Sequence, residues 1–183
     1  MSEIENLIRA YEKFVRLPWD HTLAGPQKVW FAIYEPSQER RLRLRIDEFG
    51  VVTKNVGHSW MPIDLTDAFA VWMSQHEYRE AYFAQPELMD IALSDFAEYV
   101  GNKVTNELWG PSVDQDTVVA ILGLGSLFGL ARVSALIKRV APSIRGRLLC
   151  FFPGHHEGSN YRLLDARDGW NYLAVAITAK EGQ

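Results

Sequence analysis

The sequence contains little cysteine and no long uninterrupted apolar run. Cys150 is the one cysteine among 183 residues, so neither an intrachain disulfide nor a cysteine-based zinc cluster can form. The most apolar stretch, residues 118–135, is interrupted by three glycines, two serines and an arginine. We interpret it as a core strand followed by a helix and not as a membrane span.

An excess of positive charge is also missing. The formal net charge is −4, so global charge alone does not hold this protein on nucleic acid or on an acidic membrane. Residues 1–6 lack the basic start and the apolar run of a signal peptide. We therefore expect a cytoplasmic protein that does not bind nucleic acid strongly or enter a membrane.

The overall composition is that of an ordinary globular domain. Hydrophobic residues make up 48% and charged residues 23%, which excludes a disordered tail, a collagen-like fibre and a coiled coil. Six tryptophans and an aromatic content of 12% must be buried or used in contacts. The length fits one domain.

Strand and helix patterns alternate along the chain. Continuous apolar runs predict buried strands, and 3.6-residue periodicity predicts helices between them. The predicted strands are 29–34, 60–65, 117–122, 147–152, 161–165 and 172–178, and the main predicted helices are 4–16, 38–56, 86–108 and 127–140. Alternation of this kind implies a parallel sheet with helices on both faces.

We therefore predict a single α/β domain with a RecA/Rossmann-like three-layer architecture. Residues 1–26 form an N-terminal helix and an extended segment, and residues 27–178 form the α/β core. The Asp168-Gly169 pair lies between the last two strands and predicts a C-terminal β-hairpin at the sheet edge.

The glycine-rich segment 123–129 lies between a predicted strand and a predicted helix, where phosphate-binding loops occur. A P-loop would end in Gly-Lys-Ser/Thr, but Gly129-Leu130-Ala131 stands here. The third glycine and the later acidic residue of a dinucleotide fingerprint are also missing. A tight packing turn is the simpler interpretation, and a vestigial nucleotide site is the alternative.

Two further groups could supply chemistry. His155, His156 and Glu157 follow a predicted strand and could bind a metal or act as a base, although a solvated polar loop is the simpler interpretation. The aspartate pairs 64/67 and 165/168 could hold magnesium, but no nucleophile or base partner accompanies them. We therefore predict no catalytic residue, no cofactor and no metal.

A cluster of arginines and two tryptophans are the candidate interaction residues. The arginines at positions 40, 41, 43 and 45 could contact phosphates or a protein, and nearby acids favour local ion pairs. Trp19 and Trp170 adjoin turn signals, where aromatic side chains are available for contacts. The predicted interaction residues are Trp19, Arg41, Arg45, Asp168 and Trp170.

Short strings along nearly the whole chain resemble the BrxB family. They are LPW (17–19), VWF (29–31), ERRLR (39–43), DLTDAF (64–69), EYREAYF (77–83), GSLFG (125–129), GRLL (146–149), FFPG (151–154) and, the most specific, NYRLLDARDGWNY (160–172). The His155-His156 pair departs from the family pattern, which counts further against a metal site there.

The resemblance implies a core component of BREX, the bacterial bacteriophage-exclusion system. BREX loci methylate host DNA and block phage replication, and BrxB proteins act beside the methyltransferase PglX, the phosphatase-superfamily protein PglZ and the ATPase BrxC. The expected role is non-catalytic assembly, foremost through PglZ. The alternatives are a nucleotide-binding or NTPase-like subunit with a degenerate phosphate loop at 123–129, and DNA binding through the arginine cluster.

Overall fold

Strand β1 (Val29–Tyr34) lies inside the central sheet, and each of its six residues is buried. The computed structural model describes residues 2–158, 160–164, 166–167 and 174–182. The remaining strands of this part of the chain are β2 (Ser59–Asp64), β3 (Thr117–Leu122), β4 (Arg147–Glu157), β5 (Asn160–Leu163), β6 (Ala166–Arg167) and β7 (Val175–Thr178).

The central sheet is parallel. Its described strands follow the order β2-β3-β4-β1-β7, and each of these neighbouring pairs is parallel. Because parallel neighbours require crossover connections, helices cover both faces. The predicted α/β fold class is confirmed, and a C-terminal antiparallel strand pair is present as well.

The helices divide into two layers, each with its own apolar core. The helices are α1 (Glu3–Val15), α2 (Glu39–Leu44), α3 (Ile46–Asn55), α4 (Ala68–Ser74), α5 (Arg79–Ala84), α6 (Leu93–Leu108) and α7 (Val133–Val140). Helices α1 to α3 cover the face on which Trp30 and Tyr34 lie, whereas α4, α6 and α7 cover the face on which Phe31 and Ile33 lie. In the part of the chain that the structure describes, no helix combines the length and the apolarity needed to cross a bilayer.

Helix α1 begins with a capping box. The Ser2 hydroxyl accepts a hydrogen bond from the Glu5 amide at 3.3 Å, and the Glu5 carboxylate accepts one from the Ser2 amide at 2.8 Å. The apolar side chains of this helix recur at helical spacing and are buried against the sheet. The predicted helix over 4–16 is therefore confirmed.

The long helix predicted over 38–56 is wrong, because the chain breaks at Arg45. Arg45 has φ −118° and ψ 11°, which separates α2 from α3. A 3₁₀ helix, Pro36–Gln38, precedes α2, so the predicted start of the helix at residue 38 lies within this turn.

Two further predicted helix starts are corrected. The segment that begins at Pro86 is first a 3₁₀ helix, Pro86–Ile91, and α6 begins only at Leu93. Because the two pieces have different periods, Leu88 and Ile91 are exposed, whereas Phe96 of α6 is buried. Likewise, α7 begins at Val133 and not at residue 127.

The C-terminal strands pair differently from the prediction. Strand β4 continues to Glu157, past the loop predicted to begin at Pro153, because β5 pairs with its second half across a turn at Gly158, where φ is +60°. Strand β7 pairs with β1 in parallel. The prediction was instead an antiparallel pairing of this strand with residues 161–165. Asp168 and Gly169 lie outside the described residues.

We predict that Phe49→Ala lowers the free energy of unfolding by about 3–5 kcal/mol, because the ring is fully buried and its loss leaves a cavity. The Phe49 ring centroid lies 5.4 Å from that of Tyr11 and 4.9 Å from that of Phe151. Val51, on the same helix, is 55% exposed, so Val51→Ala should change stability by less than about 0.5 kcal/mol. Urea unfolding of both variants measures the difference, and equal losses would contradict the assigned core.

Candidate functional site

The carboxyl ends of the parallel strands form the edge of the sheet where ligands bind in α/β proteins. Tyr34 ends β1 opposite Pro153 of β4, and Asp64 ends β2 opposite Leu122 of β3. Polar side chains from the connecting segments gather at this carboxyl edge. It is therefore the first place to look for a functional site.

Arg43 of α2 is the centre of a polar network at the carboxyl edge. Its Nε lies 2.7 Å from Oε1 of Glu39, and its Nη1 lies 3.0 Å from Oδ2 of Asp64. Its Nη2 donates to the Thr66 hydroxyl at 2.6 Å. The Tyr34 hydroxyl donates to Glu39. All three guanidinium nitrogens therefore have partners within the protein.

The network also sets the charge state of its members. Burial alone would raise the pKa of Asp64, but hydrogen bonds from Thr66 and then from Arg43 outweigh burial and lower it. Burial, followed by the hydrogen bond to Glu39, raises the pKa of Tyr34. Asp64 is thus ionised and Tyr34 is neutral at physiological pH, and the arrangement stabilises the edge.

The glycine-rich segment 123–129 does not form a phosphate cradle in this structure. Two of its backbone amides are used within the turn: Ser126 donates to the Gly123 carbonyl at 3.0 Å, and Phe128 donates to the Gly125 carbonyl at 3.2 Å. A 3₁₀ helix, Leu124–Leu127, occupies the turn, and its two leucines are buried. Phosphate loops need amides that point at the ligand and an α-helix that begins there. Here two of the amides are engaged within the turn, and α7 begins only at Val133.

Gly123 has a packing reason to be glycine. Its φ is +80°, and a Cβ atom there would lie 2.5 Å from the Thr66 amide nitrogen and 2.7 Å from the Thr66 hydroxyl. The turn therefore fits closely against the residues that follow β2. Gly129 also has a positive φ, +76°, but nothing lies within 4 Å of its Cβ position.

His155 and His156 lie in a strand and therefore on opposite faces. They pair with Arg162 and Tyr161 of β5, respectively. His155 Nε2 lies 3.6 Å from Oε2 of Glu35, whereas the His156 ring stacks on Tyr161. Among the described residues, no group of three or more His, Cys, Asp or Glu side chains could hold a metal ion. Asp165 lies outside the described residues.

A shallow cleft of about 380 Å³ lies beside His155, at the carboxyl ends of β1, β4 and β7. Glu3, Glu35, His155 and Lys180 contribute charged groups of both signs to its lining. The Glu35 amide donates to the Glu3 carboxylate at 2.7 Å, and His155 faces Glu35. These contacts join α1 to the carboxyl edge.

Two of the four arginines in the cluster, Arg43 and Arg45, are paired with acids, whereas Arg40 and Arg41 are exposed. Arg45 donates to both carboxylate oxygens of Glu48, at 2.6 and 2.7 Å, and its Nη1 lies 3.3 Å from Glu5. Arg41 is exposed and contacts the side chain of Gln38 at 3.2 Å. The expected local ion pair between Glu39 and Arg43 is present.

Trp19 is packed within the fold. Its ring stacks on His58, with centroids 3.7 Å apart and planes 10° apart, and meets the Trp30 ring edge-on at 5.7 Å. The Arg147 guanidinium lies 4.8 Å above the Trp19 ring. Trp19 is half-buried by these contacts. Asp168 and Trp170, also predicted as interaction residues, lie outside the described residues.

A group of exposed apolar side chains between α4 and α6 was not predicted from the sequence. Tyr78, Phe83, Leu88 and Ile91 are all exposed, and they alternate with acidic residues. The available signal was a segment without a clear helical period in which aromatic and acidic residues interleave. That pattern differs from the continuous or periodic apolar spacing of core elements.

Comparison with known proteins adds no relative. No protein-family model matches the chain, and neither a curated protein nor a solved structure matches it. The relation to the BrxB family therefore stays a prediction that depends on the strings in the sequence.

We predict that Gly123→Ala destabilises the protein more than Gly129→Ala does. Both substitutions put a Cβ on a left-handed residue, which costs about 1–2 kcal/mol. Only the Cβ at 123 also collides with backbone, at Thr66, so its cost should exceed that range. Denaturant unfolding of the two variants separates the shared conformational cost from the collision, and equal costs would refute the close packing.

We predict that His58 makes the protein less stable as the pH falls below about 6.5, the ordinary pKa of histidine. Burial lowers the pKa of His58 in spite of nearby Asp116, so the unfolded chain takes up the proton first. The contribution of His58 to stability is therefore fully present above the pKa that it has in the unfolded chain. It is lost as the pH falls toward the lower pKa that it has in the folded protein. His58→Phe keeps a ring against Trp19 but cannot be protonated.

Thermal midpoints at pH 7.5 and pH 5.5 test this prediction. The midpoint of the wild type should fall more between the two values than that of His58→Phe. If both proteins change in parallel, His58 is not the titrating group.

Proposed function

We propose that this chain is a non-catalytic assembly subunit of a BREX phage-defence complex that acts through protein–protein contact, foremost with the PglZ subunit. The sequence support is the set of BrxB-like strings, which extends over residues 17–172. The structural support comes from the carboxyl edge of the sheet and from the exposed surface. Such a subunit would work in the bacterial cytoplasm, where the host DNA is methylated.

The observation that carries the proposal is the internal pairing at the carboxyl edge. Enzymes of this architecture keep reactive or phosphate-binding groups free at that edge. Here the guanidinium of Arg43 is held by Glu39, Asp64 and Thr66, and Tyr34 donates to Glu39. Side chains that are paired with one another in this way make the carboxyl edge rigid and leave few free polar groups to bind a substrate.

Exposed aromatic side chains also support an interaction role. Trp109 is 60% exposed, and the Arg145 guanidinium lies 5.5 Å from its ring centroid. Tryptophan and arginine are enriched among the residues that dominate binding at protein interfaces. The described surface thus offers contact groups away from the carboxyl edge.

The nucleotide-binding alternative has less support. The turn at 123–129 uses the amides of Ser126 and Phe128 internally, and α7 begins at Val133, beyond the turn. Arg132 is the one basic residue between positions 123 and 132. A phosphate would therefore meet neither a helix N-terminus nor a P-loop lysine in this turn.

Direct DNA binding through the arginine cluster is disfavoured for a related reason. Arg43 and Arg45 are already paired with carboxylates, and neutralising DNA phosphates would require breaking those pairs. The formal charge of −4 adds a general repulsion. We infer that such a subunit meets DNA through its partners.

We predict that the chain co-purifies with tagged PglZ when the two are co-expressed from the same locus, because an assembly subunit must bind a neighbour directly. Pairwise co-expression with BrxC and with PglX determines whether other contacts exist. The untagged chain alone on the same resin is the control. A chain that binds none of the three products overturns the proposal.

Calorimetry with millimolar ATP or GTP and magnesium separates this function from the nucleotide-binding alternative. We expect no heat of binding from the isolated chain. Saturable heat that Gly125→Ala or Ser126→Ala abolishes would favour the alternative instead.

A further inference from the structure

Residues 75–91, which we name the acidic arm, connect α4 to α6 and are weakly packed. The arm consists of α5, the 3₁₀ helix Pro86–Ile91 and their short connections, and neither helix contains a buried residue. The two helices pack mainly against each other. The arm therefore presents most of its surface to the outside.

The arm nevertheless has a defined position. The ring of Tyr82 lies 5.1 Å from that of His76, and the His76 ring lies 4.9 Å from that of Trp72 in α4. Tyr82 and Met89 are partly buried against the core. These contacts hold the arm in place before any partner arrives, which reduces the entropic cost of binding.

Large apolar side chains cover the outer surface of the arm. The exposed fractions are 58% for Tyr78, 65% for Phe83, 46% for Leu88 and 86% for Ile91. Single exposed apolar residues are ordinary, but four within fourteen positions make a patch of the kind that marks protein interaction sites.

The 3₁₀ helix sorts its side chains into rows, because residues three apart are eclipsed in this geometry. Leu88 and Ile91 form one row and are exposed. Glu87 and Asp90 form the adjacent row and are also exposed. Met89, in the third row, is partly buried against the core. An apolar row and an acidic row therefore face outward side by side.

The charge of the arm indicates the chemistry of its partner. The arm contains four acidic residues and one arginine, and Arg79 is paired with Glu80 at 3.5 Å. An acidic surface repels nucleic acid and anionic lipid, so neither suits the arm. A protein surface with an apolar cleft and lysine or arginine beside it matches both rows.

We propose that the acidic arm is the docking surface for a partner protein whose contact surface is an apolar cleft edged by lysine or arginine. Leu88 and Ile91 enter the cleft, and Glu87 and Asp90 face its basic edge. This inference rests on the proposed assembly function, and it specifies which surface and which partner chemistry that function uses.

The test measures the affinity of the purified chain for purified PglZ by calorimetry at low and high salt. The double variant Leu88→Ser/Ile91→Ser should weaken binding at least tenfold, since it removes the apolar row. The matched control is Val51→Ser, because Val51 is 55% exposed on α3 and lies outside both the arm and the arginine cluster. The control should bind within twofold of the wild type.

A charge variant tests the acidic row independently. Asp90→Lys should weaken binding and reduce its dependence on salt, because one attractive pair becomes repulsive. Glu107→Lys, in the last turn of α6, makes the same charge change where a lysine suits the helix dipole and should leave binding unchanged. Equal unfolding midpoints for all four variants show that the fold is intact.

The outcomes separate the two proposals. Wild-type affinity in both arm variants overturns the docking surface but leaves the assembly function standing. The docking proposal is also overturned if the free chain self-associates and the arm variants abolish that self-association. The arm would then bind a second copy of this chain and not a different protein. No complex with PglZ, BrxC or PglX overturns both proposals.

Discussion

Strand β1 must be buried on both of its faces, and the rest of the structure is arranged around that requirement. Trp30 and Phe31 are adjacent and point to opposite faces, and both are almost fully buried. Burying each aromatic ring contributes about 1.5–3 kcal/mol, so neither face can be left open to water. Two helix layers follow from this, because parallel neighbours on either side of β1 require crossovers.

The same double burial explains why a charged residue is tolerated inside the sheet. Arg147 begins β4 and is only 3% exposed, and its guanidinium lies over the rings of Trp19 and Trp30. It donates to the carbonyls of Gly146 and Asp20, while burial lowers its pKa. The arginine thereby holds the segment after α1 against the sheet, and the ring of Trp19 takes part in this contact.

Continuous apolar runs between turn signals are easy to place from sequence, and β1 and β3 are predicted to the residue. The 3₁₀ turns are harder, because Leu124 and Leu127 have the i, i+3 spacing of a helix and only the backbone geometry separates the two. Likewise, Pro153 and Gly154 suggest that β4 ends, although β5 supplies a partner that extends it.

Long-range partners lie beyond local patterns altogether. The pairing of β7 with β1 joins segments more than a hundred residues apart, and a hairpin signal between neighbouring runs cannot reveal it. At the candidate site, the Glu39–Arg43 pair follows from helical spacing, whereas the contacts of Arg43 with Asp64 and of Arg45 with Glu5 depend on the tertiary fold. Local ion pairing was therefore predictable, but the closed network at the carboxyl edge was not.

The internal ion pairs and the acidic arm have a joint electrostatic consequence. Outside residues 75–91 the chain has nineteen acidic and eighteen basic residues, so the arm contributes three of the four net negative charges. Because Arg43 and Arg45 are neutralised by adjacent carboxylates, their fields cancel within a few ångströms. Within about 10 Å, the Debye length near 0.1 M salt, an approaching partner is attracted chiefly by the unpaired charge of the arm. The basic surface of a partner is thus oriented toward the exposed apolar row before contact. The ion pairs of Arg43 and Arg45 favour docking at the arm, because they remove competing charge elsewhere on the surface.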